Sequence, residues 1–208
     1  MTTHGKYSER VAQRKETTSN TMTYVYTPDE LFDALSGTEV IDELICNDLE
    51  VTDAVLNFAD VSNVEFHNCT FTNCIIQDAY LGYGTNEHLT FNYCVIYDNS
   101  VYAHIEHCTL HDCIVDVTSL TNATVDQLTI TDSNLRHVLA EFTSIHELIL
   151  TNTSMHGVVD DSRVEHATIR GSVIDTVQFH NNAVPLSINA IQATQAAPSP
   201  YDANTVYR

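Results

Sequence analysis

The chain has 208 residues, 43% of them hydrophobic, and no run of about 18 apolar residues, so it lacks a membrane-spanning segment. Its formal net charge is −20, from 28 acids against 8 basic residues, a field that repels nucleic acids and anionic membranes and attracts basic surfaces. The first residues lack the apolar core of a secretory signal and the six cysteines have no zinc-like CxxC spacing, which reads as a reduced, cytoplasmic protein without metal or cofactor.

Residues 1–20 are polar, without periodicity, and hold Lys6, Arg10, Arg14 and Lys15; they read as a disordered arm. From Thr21 onward there is no lysine, and Arg136, Arg163, Arg170 and Arg208 stand against nearly all the acids. Residues 21–38 read as an amino-terminal cap. Tyr24-Val25-Tyr26 suits a short edge strand. Thr27-Pro28-Asp29-Glu30 is a helix start, with Thr27 as N-cap, proline in the first turn and acids at the positive end of the helix dipole. Leu31, Phe32, Ala34 and Leu35 supply its apolar side, and Gly37 ends it.

Residues 39–180 follow a period of five. Ile105, Leu110, Val115, Leu120, Val125, Ile130 and Leu135 recur at that spacing, each with a small or apolar residue two places earlier: Ala103, Cys108, Cys113, Thr118, Ala123, Leu128 and Ser133. A helix needs a period of 3.6 and a half-buried strand a period of 2. A chain with an inward pair every fifth residue turns a corner every five residues, and four corners close a square coil of about 20 residues. Segments 70–74, 90–94, 109–113, 129–133 and 168–172 resemble one another at that longer spacing. The pattern breaks at Gly82-Tyr83-Gly84-Thr85-Asn86, which reads as a bulge or a contact loop, and the count slips by one residue around Asp160-Asp161.

On these residues, over about Glu43 to Phe179, the chain resembles the pentapeptide-repeat family. That resemblance implies an all-β solenoid, a right-handed quadrilateral parallel β-helix of about seven coils, with short capping helices at both ends. It departs from the usual pattern in having mixed Phe, Ile, Val and Leu centres and few glycines. Residues 181–208 read as the carboxy-terminal cap and tail, with a short helix from Ser187 stopped by Pro198 and Pro200. The resemblance also implies a homodimer through this end, with Phe179, Leu186, Ile188 and Ile191 as the contact residues.

Stacked coils put outward residues in columns. One column reads Glu87, Glu106, Asp126, His146, Glu165; the next reads His88, His107, Gln127, Glu147, His166. Strands stack at about 4.8 Å, where like charges repel, so such a ladder points to an outside role. The candidate partner-binding acids are Glu87, Glu106, Asp126, Glu147 and Glu165, with Asp78, Asp98, Asp112 and Asp132 as further acids and Tyr93 and Tyr97 as aromatic contacts. Seven coils make a rod of roughly one net charge per 1.8 Å, against about 1.7 Å for duplex DNA. The pairs His67/Cys69, His107/Cys108 and His111/Cys113 point apart, cysteine inward and histidine outward, which argues against a shared metal ion. There is no GxSxG, P-loop or HExxH, and the near absence of insertions leaves no walls for a substrate pocket, so an enzyme is not expected.

The expectation is an interaction protein that binds the DNA-handling surface of a nucleic-acid enzyme by mimicking DNA. The family resemblance points to DNA gyrase and related type II topoisomerases, which members inhibit or protect from quinolones and toxins. The first alternative is a phage or mobile-element protein blocking a restriction or CRISPR effector; the second is a structural spacer or fibre segment.

Overall fold

The computed structural model describes residues 22–37, 39–82, 84–160, 162–175, 178–180, 186–189 and 192–194. They form a parallel β-solenoid of about seven turns with one short helix. The side chains that recur every five residues point inward on four successive faces. Cys46, Val51, Leu56 and Val61 are the centres of one coil, and Phe66, Phe71, Ile76 and Leu81 of the next; all eight are buried. Register is parallel throughout: Val51 pairs with Phe71, Leu56 with Ile76, Phe71 with Phe91, Val125 with Ile145. Such coils bury an apolar face only by stacking, so each one is stabilised by its neighbours.

The small residue two places before each centre sits inside a corner and satisfies backbone groups there. Below the third face, Cys74, Cys94, Cys113, Ser133, Thr153 and Ser172 stack in one column. The Cys113 thiol donates to the Phe91 and His111 carbonyls, both at 3.3 Å, and Ser133 Oγ accepts from the Cys113 N–H at 3.0 Å. Buried corner backbone would otherwise lack partners, which is why thiols and hydroxyls suit this place.

Many corners turn through a left-handed residue. Asp48, Asp53, Asn68, Asn73, Asp78, Asp98, Asp112, Asn122, Asp132 and Asn152 all have φ between 50° and 58°, with His88, Tyr93, His137 and Phe142 beside them. Asp and Asn tolerate this region because their short polar side chains bond locally. Successive coils also join there: Asn68 donates to Asp48 at 2.7 Å, Asn73 to Asp53 at 2.6 Å and Asn152 to Asp132 at 3.0 Å.

At the lower end, strand Met22–Val25 pairs in parallel with Glu43–Asn47. Helix Pro28–Ser36 begins with a capping box: Thr27 accepts from the Glu30 N–H and Glu30 accepts from the Thr27 N–H at 3.1 Å. Fully buried Leu31 pins it to the first coil. Gly37 follows the helix in extended backbone, not the left-handed form. The interruption at residues 82–86 needs Gly84, whose φ is 120°, and buries Asn86 in place of an apolar centre. Asn86 Oδ1 accepts from the Phe66 N–H at 2.8 Å.

Two expectations are corrected. The one-residue slip is a bulge between Leu135 and Val138, opposite His156, and not at Asp160-Asp161. There Gly157 lies so close to the neighbouring strand that a Cβ would meet the Val138 carbonyl oxygen at 2.1 Å. The carboxy-terminal capping helix is absent among the described residues. Leu186–Asn189 is instead a strand paired with Ala167–Arg170, and Gln192–Thr194 pairs with Val173–Asp175. The ladder edge offers a backbone partner to every residue of 186–189, which outweighs the helical preference of the sequence. Residues 1–20, Tyr83, Asp161 and Ile191 lie outside the described residues.

Candidate functional site

The first face carries the acidic column. Its outward position after each centre holds His67, Glu87, Glu106, Asp126, His146 and Glu165 in turn, joined by the pairings His67 with Glu87, Ile105 with Val125, and Ile145 with Val164. Three consecutive coils therefore present Glu87, Glu106 and Asp126 in one line. Above them the charge is partly neutralised. Glu165 accepts from His146 Nδ1 at 2.7 Å and lies 3.1 Å from Arg163 Nη2. The His146 hydrogen bond, then the Arg163 charge, hold its carboxyl below the ordinary glutamate value. His104 Nε2 stands 3.6 Å from Asp126.

Glu147 belongs to the neighbouring column, one residue farther on, where it accepts from Gln127 Nε2 at 2.6 Å. In the same column the His88 and His107 rings stack with centroids 4.8 Å apart and planes 13° from parallel. The donor atoms of His88, Glu106 and His107 lie within 4.8 Å of one another. The two imidazoles are exposed and Glu106 is half-buried, and all three are groups of the kinds that ligate a divalent ion. The His–Cys pairs do not converge in this way. The Cys69 thiol donates to the Cys46 and His67 carbonyls at 3.4 Å, and burial pushes it up to about 11 and Cys108 to about 12, so these sulfurs stay protonated.

The remaining candidates are scattered over other faces. Asp78 and Asp98 stack at the corner after the third face; Asp112 and Asp132 stack at the corner before it. All four turn the chain through left-handed backbone, a role that the charge count alone does not reveal. Its signal is present in the sequence, as an Asp or Asn two places after many centres. Tyr93, 57% exposed, occupies the same corner column as Asp112, and the Tyr97 hydroxyl bonds the Gln77 side chain. Phe179, Leu186 and Ile188 lie in strands of the uppermost coils. Imidazoles pair with acids beyond the first face as well. His137 Nδ1 lies 2.7 Å from Asp116, and His111 lies 3.4 Å from Asp112 and 3.9 Å from Asp132.

A parallel coil with five-residue sides, an inward pair on each side and left-handed Asp or Asn corners defines a class of solenoid built on pentapeptide repeats. Residues 52–82 match the family described as Pentapeptide repeats, in 8 copies. That match and the parallel β-solenoid together support a pentapeptide-repeat protein. Solenoids of this family are generally non-catalytic. No curated protein matches the chain in sequence. No helix among the described residues is long and apolar enough to cross a membrane.

Proposed function

We propose that this protein is a non-catalytic, cytoplasmic interaction protein whose acidic rod occupies the DNA-binding surface of a nucleic-acid enzyme, with DNA gyrase or another type II topoisomerase as the target. The observation that carries the reading is the alignment of Glu87, Glu106 and Asp126 on three consecutive coils. Like charges at a strand step of about 4.8 Å repel, and an array of Lys and Arg that normally grips phosphates removes that repulsion. The net charge of −20 extends the attraction around the rod. Two copies joined through the carboxy-terminal end, at Phe179, Leu186, Ile188 and Ile191, would double its length.

A supercoiling assay tests this. The native protein is expected to inhibit at micromolar concentration, less so as salt rises. Glu87→Gln/Glu106→Gln/Asp126→Asn is expected to inhibit at least about tenfold more weakly. No effect of the native protein on either gyrase or topoisomerase IV removes this target. Sedimentation of the native chain checks the dimer.

A further inference from the structure

On the third face, the residue before each inward centre points outward. In four consecutive coils that residue is apolar and β-branched: Val55, Ile75, Val95, Ile114. Val55 pairs with Ile75, Ile75 with Val95, and Val95 with Ile114. Four side chains thus climb the face as a single ladder about 14 Å tall. Val55 is 68% exposed, Ile75 37% and Ile114 43%, with Val95 half-buried. The next coils end the ladder with Asn134 and Ser154.

Two tyrosines and a rim of acids border it. Tyr93 stands on the corner at one side, in a column with Asp53, Asp112 and Asp132. Tyr97 stands at the other side, paired in register with Asp116, and the corner beyond carries Asp78 and Asp98. The bases facing this rim are His111, against Asp112 and Asp132, His137, against Asp116, and Arg136, beside Asp116 in the next coil. An apolar centre with flanking aromatics and a charged border is the composition of a binding surface.

We propose that the third face between Asp53 and Asp116 is a docking surface for a partner protein that presents an apolar strip bordered by lysine and arginine. Charge complementarity selects that occupant. A second copy would set aspartates against aspartates across the same strip, and the rim repels nucleic acid and anionic lipid. Partial burial, then the Asp78 and Asp116 charges, hold the Asp98 carboxyl above its ordinary value. Cations brought by the partner relieve that repulsion. This surface deepens the interaction-protein reading and rests on it, but does not depend on which enzyme is the target.

The test uses the full chain and two synthetic peptides of identical composition, one alternating leucine and lysine, the other shuffled. The native protein is expected to bind the alternating peptide roughly tenfold more tightly. Ile75→Thr/Ile114→Thr, which keeps β-branching at exposed positions, is expected to abolish that preference while leaving the salt-dependent binding of the shuffled peptide unchanged. Glu87→Gln/Glu106→Gln, on the first face, is expected to preserve it; a matched melting temperature shows that each variant is folded. Equal binding of the two peptides by the native protein, or a preference that survives in the threonine variant, overturns the proposal. So does a native dimer that the threonine variant dissociates, because a second copy then covers the face. The supercoiling assay reports separately: failure there with the peptide preference intact removes the topoisomerase and leaves this surface standing.

Discussion

The lower and upper coils follow the same path by different means at the corner between the first and second faces. In the lower coils Asp48, Asn68 and His88 turn this corner in the left-handed region, and the residues after them, Leu49, Cys69 and Leu89, are buried. In the upper coils His107, Gln127, Glu147 and His166 take the corner position, and eight-residue strands such as His104–His111, Thr124–Thr131 and Ser144–Thr151 run through it unbroken. The following Cys108, Leu128 and Leu148 are then only half-buried, while the small Ala167 after His166 stays buried. Leucine is buried after a left-handed corner and half-exposed after an extended one, so turn geometry, not hydrophobicity, sets its burial. The cores differ too. Phe58, Phe66, Phe71 and Phe91 pack ring to ring in the lower coils, with centroids 5.3 to 5.9 Å apart, while Ile130, Leu150 and Ile169 fill the upper ones. The family match, at residues 52–82, falls in the lower coils. The inward pair therefore decides that a coil forms, whereas histidine turns this corner left-handed at residue 88 and extended at residues 107 and 166, so residue type alone does not set the turn.

The sharpest way to break the comparison is to empty the aromatic core. Phe71→Ala is expected to cost about 3–5 kcal/mol in chemical denaturation. Because coils couple mainly to their neighbours, hydrogen exchange should rise around residues 51–91 before it rises around residues 130–150. Next is the bulge, which belongs to the upper coils alone: Gly157→Ala forces backbone apart at Val138 and is expected to cost about 1–3 kcal/mol, read by the same denaturation curve. The corner itself is tested by exchange between the halves. Asn68→Gln puts a poor left-handed residue at a left-handed corner and should cost about 1 kcal/mol, whereas Gln127→Asn should be near neutral because that corner is extended. Equal effects at both sites would show that corner geometry does not depend on the residue there.

The smallest effect is electrostatic. The folded Asp98 carboxyl titrates above its unfolded value, so its contribution to stability is present below the unfolded value and is lost as pH rises through the folded one. Asp98→Asn is therefore expected to raise the melting temperature slightly at neutral pH, with no gain once the pH is below the ordinary carboxylate range. Glu165 has the opposite sign: its depressed value favours the fold above the ordinary range, and this is lost as pH falls through the depressed value.

Much of this architecture is legible in the five-residue rhythm. Ile105 through Leu135 and their small partners place the inward side chains, and Thr27-Pro28 places the helix start. The columns Glu87, Glu106, Asp126 and His88, His107, Gln127 follow from counting. What is not legible depends on backbone geometry that a count of centres cannot see. The step from Met155 to Val164 reveals a lost residue but not where it is lost; only the close approach of Gly157 to Val138 locates it. Ser187 and Ile188 suit a helix locally, and only the open edge at Ala167–Arg170 makes Leu186–Asn189 a strand. Asp78, Asp98, Asp112 and Asp132 read as charge alone until their positive φ values show a second role.

That double role has an evolutionary consequence. A left-handed corner accepts an amide or a carboxylate, so each one is a switch that a single nucleotide change, or the slow hydrolysis of an asparagine, can throw, at the cost of one bond between coils where an asparagine donates to the aspartate below, as Asn68 does to Asp48. A lineage of such proteins can rewrite its surface potential while keeping its silhouette, and so exchange one target for another faster than it could remodel a fold.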